Sequence, residues 1–145
     1  MPDHHARALA TRLTLLPGRW QDVRFDRPGG GATGVSALVE PAAAHEVLYD
    51  LCVGVVLEGI TPGTEVQLRA VEFASGGADG APARRERPAN SAVHATGHGR
   101  FTHTWKGVLA PGASVGVSVA QFGQADAHLT GAEAEILVWP RRPEG

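Results

Sequence analysis

The chain has 145 residues, 43% of them hydrophobic, which is enough for one domain with a buried core. The formal net charge is -2 at pH 7, so no overall positive field would attract nucleic acid or an anionic membrane, and we expect neither as a partner. The 19 glycines and 10 prolines disfavour long helices, no apolar run is long enough to cross a membrane, and no signal peptide is recognisable at the start.

The first sixteen residues are open to two interpretations. Asp3 could cap a short helix, with three leucines at helical spacing behind it. Alternatively, residues 1–16 form a flexible arm that runs into a first strand near residues 12–15. We predict the arm, and we place the domain at residues 17–141 with a short tail at residues 142–145.

Short strands separated by turn signals follow in chain order. A strand at residues 20–25 leads into a glycine-rich loop, and an apolar strand follows at residues 35–39. The strongest alternation covers residues 47–57, where every odd-numbered residue is apolar, as expected for a central strand. The next strand begins at Val66, and residues 74–92 have the composition of a loop.

The last forty residues contain the most regular strand signals. Valines at positions 115, 117 and 119 alternate with small or polar residues, behind a Pro-Gly turn at residues 111–112. A closing strand at residues 132–139 alternates in the same way. About eight short strands indicate a β-sandwich or barrel rather than βαβ units. The predicted core residues are Val53, Val55, Leu68, Val117, Val119 and Ile136.

Three short segments carry a resemblance to a known family. They are Trp-Lys-Gly at residues 105–107, the Pro-Gly turn and valine strand at residues 111–119, and the Trp-Pro end of the closing strand at residues 136–140. In this order they resemble the C-terminal half of the jelly-roll heads shared by tumour necrosis factor, the complement globular head and many phage virion proteins. The resemblance implies an all-β jelly-roll sandwich of two antiparallel sheets and assembly as a homotrimer.

Two patterns imitate enzyme signatures. Residues 112–116 match the G-x-S-x-G of hydrolases, but that motif needs a helix after the serine, whereas a valine-rich strand follows Ser114. Residues 29–34 match G-x-G-x-x-G, yet they lead into a strand and not into the helix that would hold a pyrophosphate. The single cysteine, Cys52, cannot form a disulfide within the chain. We predict no catalytic residue and no cofactor, and therefore no enzyme.

The seven histidines raise the question of a metal site. On one strand, His94 and His98 would lie about 13 Å apart, too far to share a zinc ion. His103 has two interpretations: it packs between Phe101 and Trp105, or it supplies one ligand per subunit on a threefold axis. We favour packing, because no carboxylate adjoins His103 in the sequence to orient its ring, and we predict no metal site.

Aromatic residues and one arginine-rich segment are the candidate contact residues. Trp20 and Trp139 fall on the opposite side of their strands from the apolar residues, which indicates partial exposure and suits an interface. The predicted subunit-interface residues are Tyr49, Trp105, Leu137 and Trp139. The predicted ligand or host contacts are Trp20, Arg84, Arg85 and Arg87.

The resemblance and the composition lead to a functional hypothesis. Residues with GC-rich codons are abundant, which indicates a GC-rich genome, and a chain without a signal peptide suits assembly in a host cytoplasm. We predict a non-enzymatic bacteriophage virion protein on the virion surface, a trimeric capsid-decoration or tail-associated subunit that contacts other virion proteins. The alternative left open is a receptor- or glycan-binding jelly-roll module that contacts a host-surface glycan.

Overall fold

A computed structural model describes residues 3–26, 38, 45–74, 83–86, 90–94 and 99–140. All the regular secondary structure in these ranges is β-strand, and the described part contains no helix that could cross a membrane. The strands are β1 (Asp3–Ala8), β2 (Leu13–Leu15), β3 (Gln21–Asp22), β4 (Val47–Glu58), β5 (Thr64–Ala74), β6 (Ala83–Glu86), β7 (Asn90–His94), β8 (Arg100–Leu109), β9 (Ser114–Gln121) and β10 (Ala127–Pro140).

The strands form two antiparallel sheets of five strands each. Sheet I has the order β1-β10-β4-β8, with β2 also paired to β10, and sheet II has the order β3-β9-β5-β6, with β7 also paired to β5. The pairs are nested in the chain: β2 with β10, β3 with β9, β4 with β8, and β5 with β6 and β7. A long hairpin wrapped in this way around one core is a jelly roll, so the predicted fold class is confirmed.

The core lies between the two sheets. Burial in β4 alternates residue by residue, because one side of the strand faces the other sheet and the opposite side faces outward. All eight residues of β9 are buried, since this strand lies between β3 and β5 in sheet II. The six residues predicted for the core are each 3% exposed or less: Val53, Val55, Leu68, Val117, Val119 and Ile136.

The prediction of a flexible arm is wrong for residues 3–8, which form β1, whereas the first strand predicted near residues 12–15 is observed as β2. Strand β1 pairs with β10 from Asp3 opposite Val138 to Ala8 opposite Glu133, and β2 pairs with the beginning of β10. The side chain of Leu15 is fully buried in the core. The physical reason is the length of β10: its fourteen residues would present an unpaired edge if β1 and β2 did not cover it. The predicted tail at residues 142–145 lies outside the described residues.

Candidate functional site

The outer face of sheet I exposes large apolar side chains at one end. Trp139 on β10 is opposite Leu48 on β4, which in turn is opposite Val108 on β8. Leu48 is 41% exposed and Val108 is 42% exposed, while Trp139 is half-buried. We call these three residues the apolar row. Because directly paired residues of antiparallel strands share a face, the apolar row runs across three adjacent strands.

The next row along the same face is mixed. Leu137 on β10 is opposite Asp50 on β4, which is opposite Lys106 on β8. The Lys106 Nζ lies 3.6 Å from the Asp50 Oδ1, and because the lysine side chain is exposed and the aspartate only half-buried, this ion pair contributes little to stability. It places a pair of opposite charges directly beside the apolar row.

Two of the four predicted interface residues lie on this outer face, and two do not. Leu137 and Trp139 are half-buried on it, as the prediction requires. Tyr49 is 2% exposed and Trp105 is 8% exposed, and both point into the core, so the structure contradicts their assignment to an interface. They belong to the inward-facing positions of β4 and β8, next to Leu51, which is opposite Trp105 in the ladder.

The buried Tyr49 connects the two sheets. Its hydroxyl donates a 2.9 Å hydrogen bond to the Glu72 Oε2 on β5 of sheet II, so a carboxylate that points into the core has a partner there. Its ring lies against Gly107, the residue opposite in β8. A Cβ at position 107 would come within 2.8 Å of the ring, closer than packed atoms approach.

Adding a methyl group at this contact is expected to destabilise the domain. Gly107→Ala should lower the free energy of unfolding by about 1 to 3 kcal/mol, because the Tyr49 ring is held at its hydroxyl end and cannot move away freely. The control is Gly54→Ala on the outer face, where the new Cβ meets only the methyl group of Thr102 at 3.3 Å. Urea denaturation measures both variants, and equal stability of the two would contradict the contact.

A groove of ≈ 970 Å³ occupies the other end of the outer face of sheet I, between β1, β4, β8 and β10. It forms where the outward side chains are small, at Ala6, Ala8 and Gly54. Glu133, Glu135 and Arg100 also line it. The two carboxylates are two residues apart on one strand and face the same way, so they do not flank a bond across a cleft as paired catalytic acids do.

Trp20, a predicted ligand contact, has one ring face covered. The guanidinium carbon of Arg69 lies 3.9 Å from the centre of the Trp20 ring, a cation–π contact. The same guanidinium lies 3.0 Å from the Glu86 Oε1. A ligand could stack on this face of Trp20 only after displacing Arg69, so the structure leaves at most the opposite face for such a contact.

The arginine-rich segment was predicted to contact a ligand or host. Arg85 lies in β6 with its side chain 71% exposed, and its Nη1 is 3.9 Å from the Glu72 Oε1. Arg84 lies in the same strand opposite Phe73, but its side chain is outside the described part of the structure, as is all of Arg87. Among the described side chains, Trp20 contacts Arg69, whose carboxylate partner Glu86 adjoins Arg85 in β6, while Arg85 itself faces Glu72.

Ser114 and His103, from the enzyme-like and metal-like patterns, lie in structural positions, while residues 29–34 and His98 lie outside the described residues. Ser114 is the first residue of β9 and is 7% exposed, with a strand and not a helix after it. The half-buried His103 ring packs edge-on against Trp105, with 4.6 Å between ring centres. Among the described residues, no group of three His, Cys, Asp or Glu side chains could hold a metal ion.

Comparison with known proteins finds distant structural similarity. The chain matches no protein-family model and no curated protein sequence. It is similar to the structure of T=1 particles derived from Infectious Bursal Virus, with 17% identity, a TM-score of 0.43, and coverage of 99% of this chain and 37% of that chain.

A second solved structure is similar at the same level. It is the Clostridium thermocellum endo-1,4-beta-D-xylanase 10B with its CBM22-1 and GH10 modules and xylohexaose, at 12% identity, a TM-score of 0.41, and coverage of 99% of this chain and 28% of that chain. The chain thus spans about a third of the length of each of these two structures. At these scores neither likeness bears on function.

Proposed function

We propose that the chain is a non-enzymatic structural subunit of a bacteriophage virion, a capsid-decoration or tail-associated protein that forms a homotrimer through the outer face of sheet I. The observation that carries the proposal is the apolar row, Leu48, Val108 and Trp139, which a monomer leaves partly in water. Apolar and aromatic side chains grouped on one exposed face are typical of protein interfaces.

The position of the apolar row suits a contact between copies of one chain. It crosses three strands of a regular antiparallel ladder and adjoins the Asp50–Lys106 pair, which gives a neighbouring subunit one charge of each sign to meet. When an exposed patch contacts a different surface of an identical chain, the assembly grows without limit unless the rotation between subunits closes it into a ring. A trimer closes it, as the resemblance in the sequence implies.

The assembly can be tested by placing a charge in the apolar row. We expect the unchanged protein to form trimers in static light scattering at micromolar concentration, and Val108→Lys to shift it to monomers, because a buried ammonium without a partner is costly. Gln67→Lys, on the outer face of sheet II, is the control and should leave the trimer intact. A monomeric unchanged protein, or trimers of Val108→Lys as stable as before, would refute this interface.

The virion role needs a separate experiment. Antibodies against the chain should label phage particles purified from the organism that encodes it, by immunogold electron microscopy, and particles from a strain that lacks the gene should stay unlabelled. Recovery of the chain only in particle-free fractions would refute a virion protein while leaving the trimer untouched.

The groove at the other end of the outer face favours a second candidate function, a glycan-binding module. Its volume is within the usual range for a small-ligand site, and its carboxylates and guanidinium can exchange hydrogen bonds with hydroxyl groups. Calorimetric titration with oligosaccharides would favour this candidate if binding occurs and is lost in Gly54→Leu, which fills the groove. The structural role predicts no such binding.

A further inference from the structure

The short strand β6 lies at the edge of sheet II. It pairs with the end of β5, from Val71 opposite Glu86 to Ala74 opposite Ala83, while β7 covers the first part of the same edge of β5. The two described side chains of β6, Arg85 and Glu86, are both exposed. At these two positions the strand therefore buries no apolar side chain.

On the outer face of sheet II, an ion pair holds β6 to β5. The Arg69 Nη2 lies 3.0 Å from the Glu86 Oε1, and the Arg69 side chain is only 16% exposed. The Arg69 guanidinium also stacks on Trp20, which restricts its orientation before it meets the carboxylate. A pre-oriented and partly buried pair is stronger than the average ion pair on a protein surface.

On the inner face, a second pair holds the same strand. The Arg85 Nη1 lies 3.9 Å from the Glu72 Oε1, whose side chain is 8% exposed. Arg85 is opposite Glu72 and Glu86 is opposite Val71, so the two pairs come from successive ladder positions and lie on opposite faces of the sheet. Because the Arg85 side chain is 71% exposed, this pair is the weaker of the two, and the Arg69–Glu86 pair contributes most of the charge attraction.

We propose that β6 is an electrostatic latch: it opens separately from the rest of the domain when the Arg69–Glu86 and Arg85–Glu72 ion pairs are weakened, and its opening uncovers the edge of β5. The hydrogen bond from the Tyr49 hydroxyl lowers the free-energy cost of the open form, because Glu72 keeps one partner in the core after Arg85 moves away. The uncovered part of β5 presents unpaired backbone groups, the feature through which sheets accept a strand from another chain.

Hydrogen exchange followed by mass spectrometry tests the latch on the full chain. Screening shortens the range of charge interactions from about 10 Å at 0.1 M salt to about 3 Å at 1 M. We expect the amides of β6 to exchange several-fold faster at 1 M sodium chloride than at 0.1 M, with those of β9 unchanged as the internal reference. Exchange of β6 only together with β9, in one global opening, would overturn the proposal.

The substitution Glu86→Gln tests the ion pair with Arg69 on the outer face. Glu86→Gln keeps the shape of the side chain and removes its charge, and it should accelerate exchange in β6 about fivefold, the effect of losing roughly 1 kcal/mol. The control is Glu58→Gln, which removes an exposed pair with Arg12 at 3.9 Å on sheet I and should leave β6 unchanged. Circular dichroism checks that both variants fold. Unchanged exchange of β6 in folded Glu86→Gln would refute the latch.

Discussion

Val117→Asp is expected to unfold the domain. Val117 is 2% exposed and faces the opposite sheet from the middle of β9, a strand in which every residue is buried. Its neighbour across the ladder is Ala70, which is fully buried, so nothing beside it would neutralise a carboxylate. An uncompensated buried charge costs about 3 to 5 kcal/mol in addition to the lost burial of the valine, a total comparable with the lower end of the 5 to 15 kcal/mol that typically stabilises a domain.

The control for this substitution separates lost volume from added charge. Val117→Ala removes the same two methyl groups without a charge and should cost about 2 kcal/mol, from the lost burial and the small cavity. Urea denaturation followed by circular dichroism should therefore show a shifted but cooperative transition for Val117→Ala and little folded Val117→Asp. Similar stability of the two variants would mean that position 117 has access to water, against the predicted core.

The sequence was most informative where one side of a strand is buried. The alternation over residues 47–57 predicted β4, which spans Val47–Glu58, and the valines at 115, 117 and 119 predicted the inward side of β9. These segments could be assigned because a shift by one residue would move the whole apolar side to solvent. The wrapping of the chain into a jelly roll was implied by the resemblance alone, since the pairing partners are distant in sequence.

The edge strands were the least predictable part of the fold. Strand β1 has the sequence DHHARA and lacks an apolar side, because it covers the edge of β10 with its backbone and leaves most of its side chains in solvent. Strand β6, with the sequence ARRE, lies inside a segment that had the composition of a loop. Strand β1 is stabilised by backbone hydrogen bonds to a distant strand, and β6 by pairing with the end of β5 and by ion pairs, and composition reveals neither.

The candidate site was predicted in part. Leu137 and Trp139 lie on the outer face as expected, but Tyr49 was assigned to an interface although its position in the alternation placed it with the inward residues. Leu48 was missed as an interface residue, although the sequence shows it as a large apolar residue at an even-numbered position, on the outward side of β4. The pairing of Leu48 with Val108 depends on the ladder register, which the sequence does not show.

Because residues 13–15 form a strand, substitutions of the two adjacent leucines at positions 15 and 16 are expected to have unequal effects on stability. The Leu15 side chain is fully buried, and its carbonyl oxygen accepts a 2.9 Å hydrogen bond from the Gln121 Nε2 of β9 in the opposite sheet. Leu16, the next residue, is 38% exposed. If residues 13–15 are a strand of the sandwich, Leu15 belongs to the core and Leu16 does not.

Leu15→Ala is accordingly expected to lower the free energy of unfolding by about 2 to 5 kcal/mol, the usual cost of removing a buried leucine side chain, while Leu16→Ala should change it by no more than about 0.5 kcal/mol. The two substitutions remove the same atoms one residue apart, so any effect of composition or helix propensity cancels between them. Urea denaturation of both purified variants measures the difference. Equal, small effects at positions 15 and 16 would show that residues 13–15 do not pack as a strand of the sandwich.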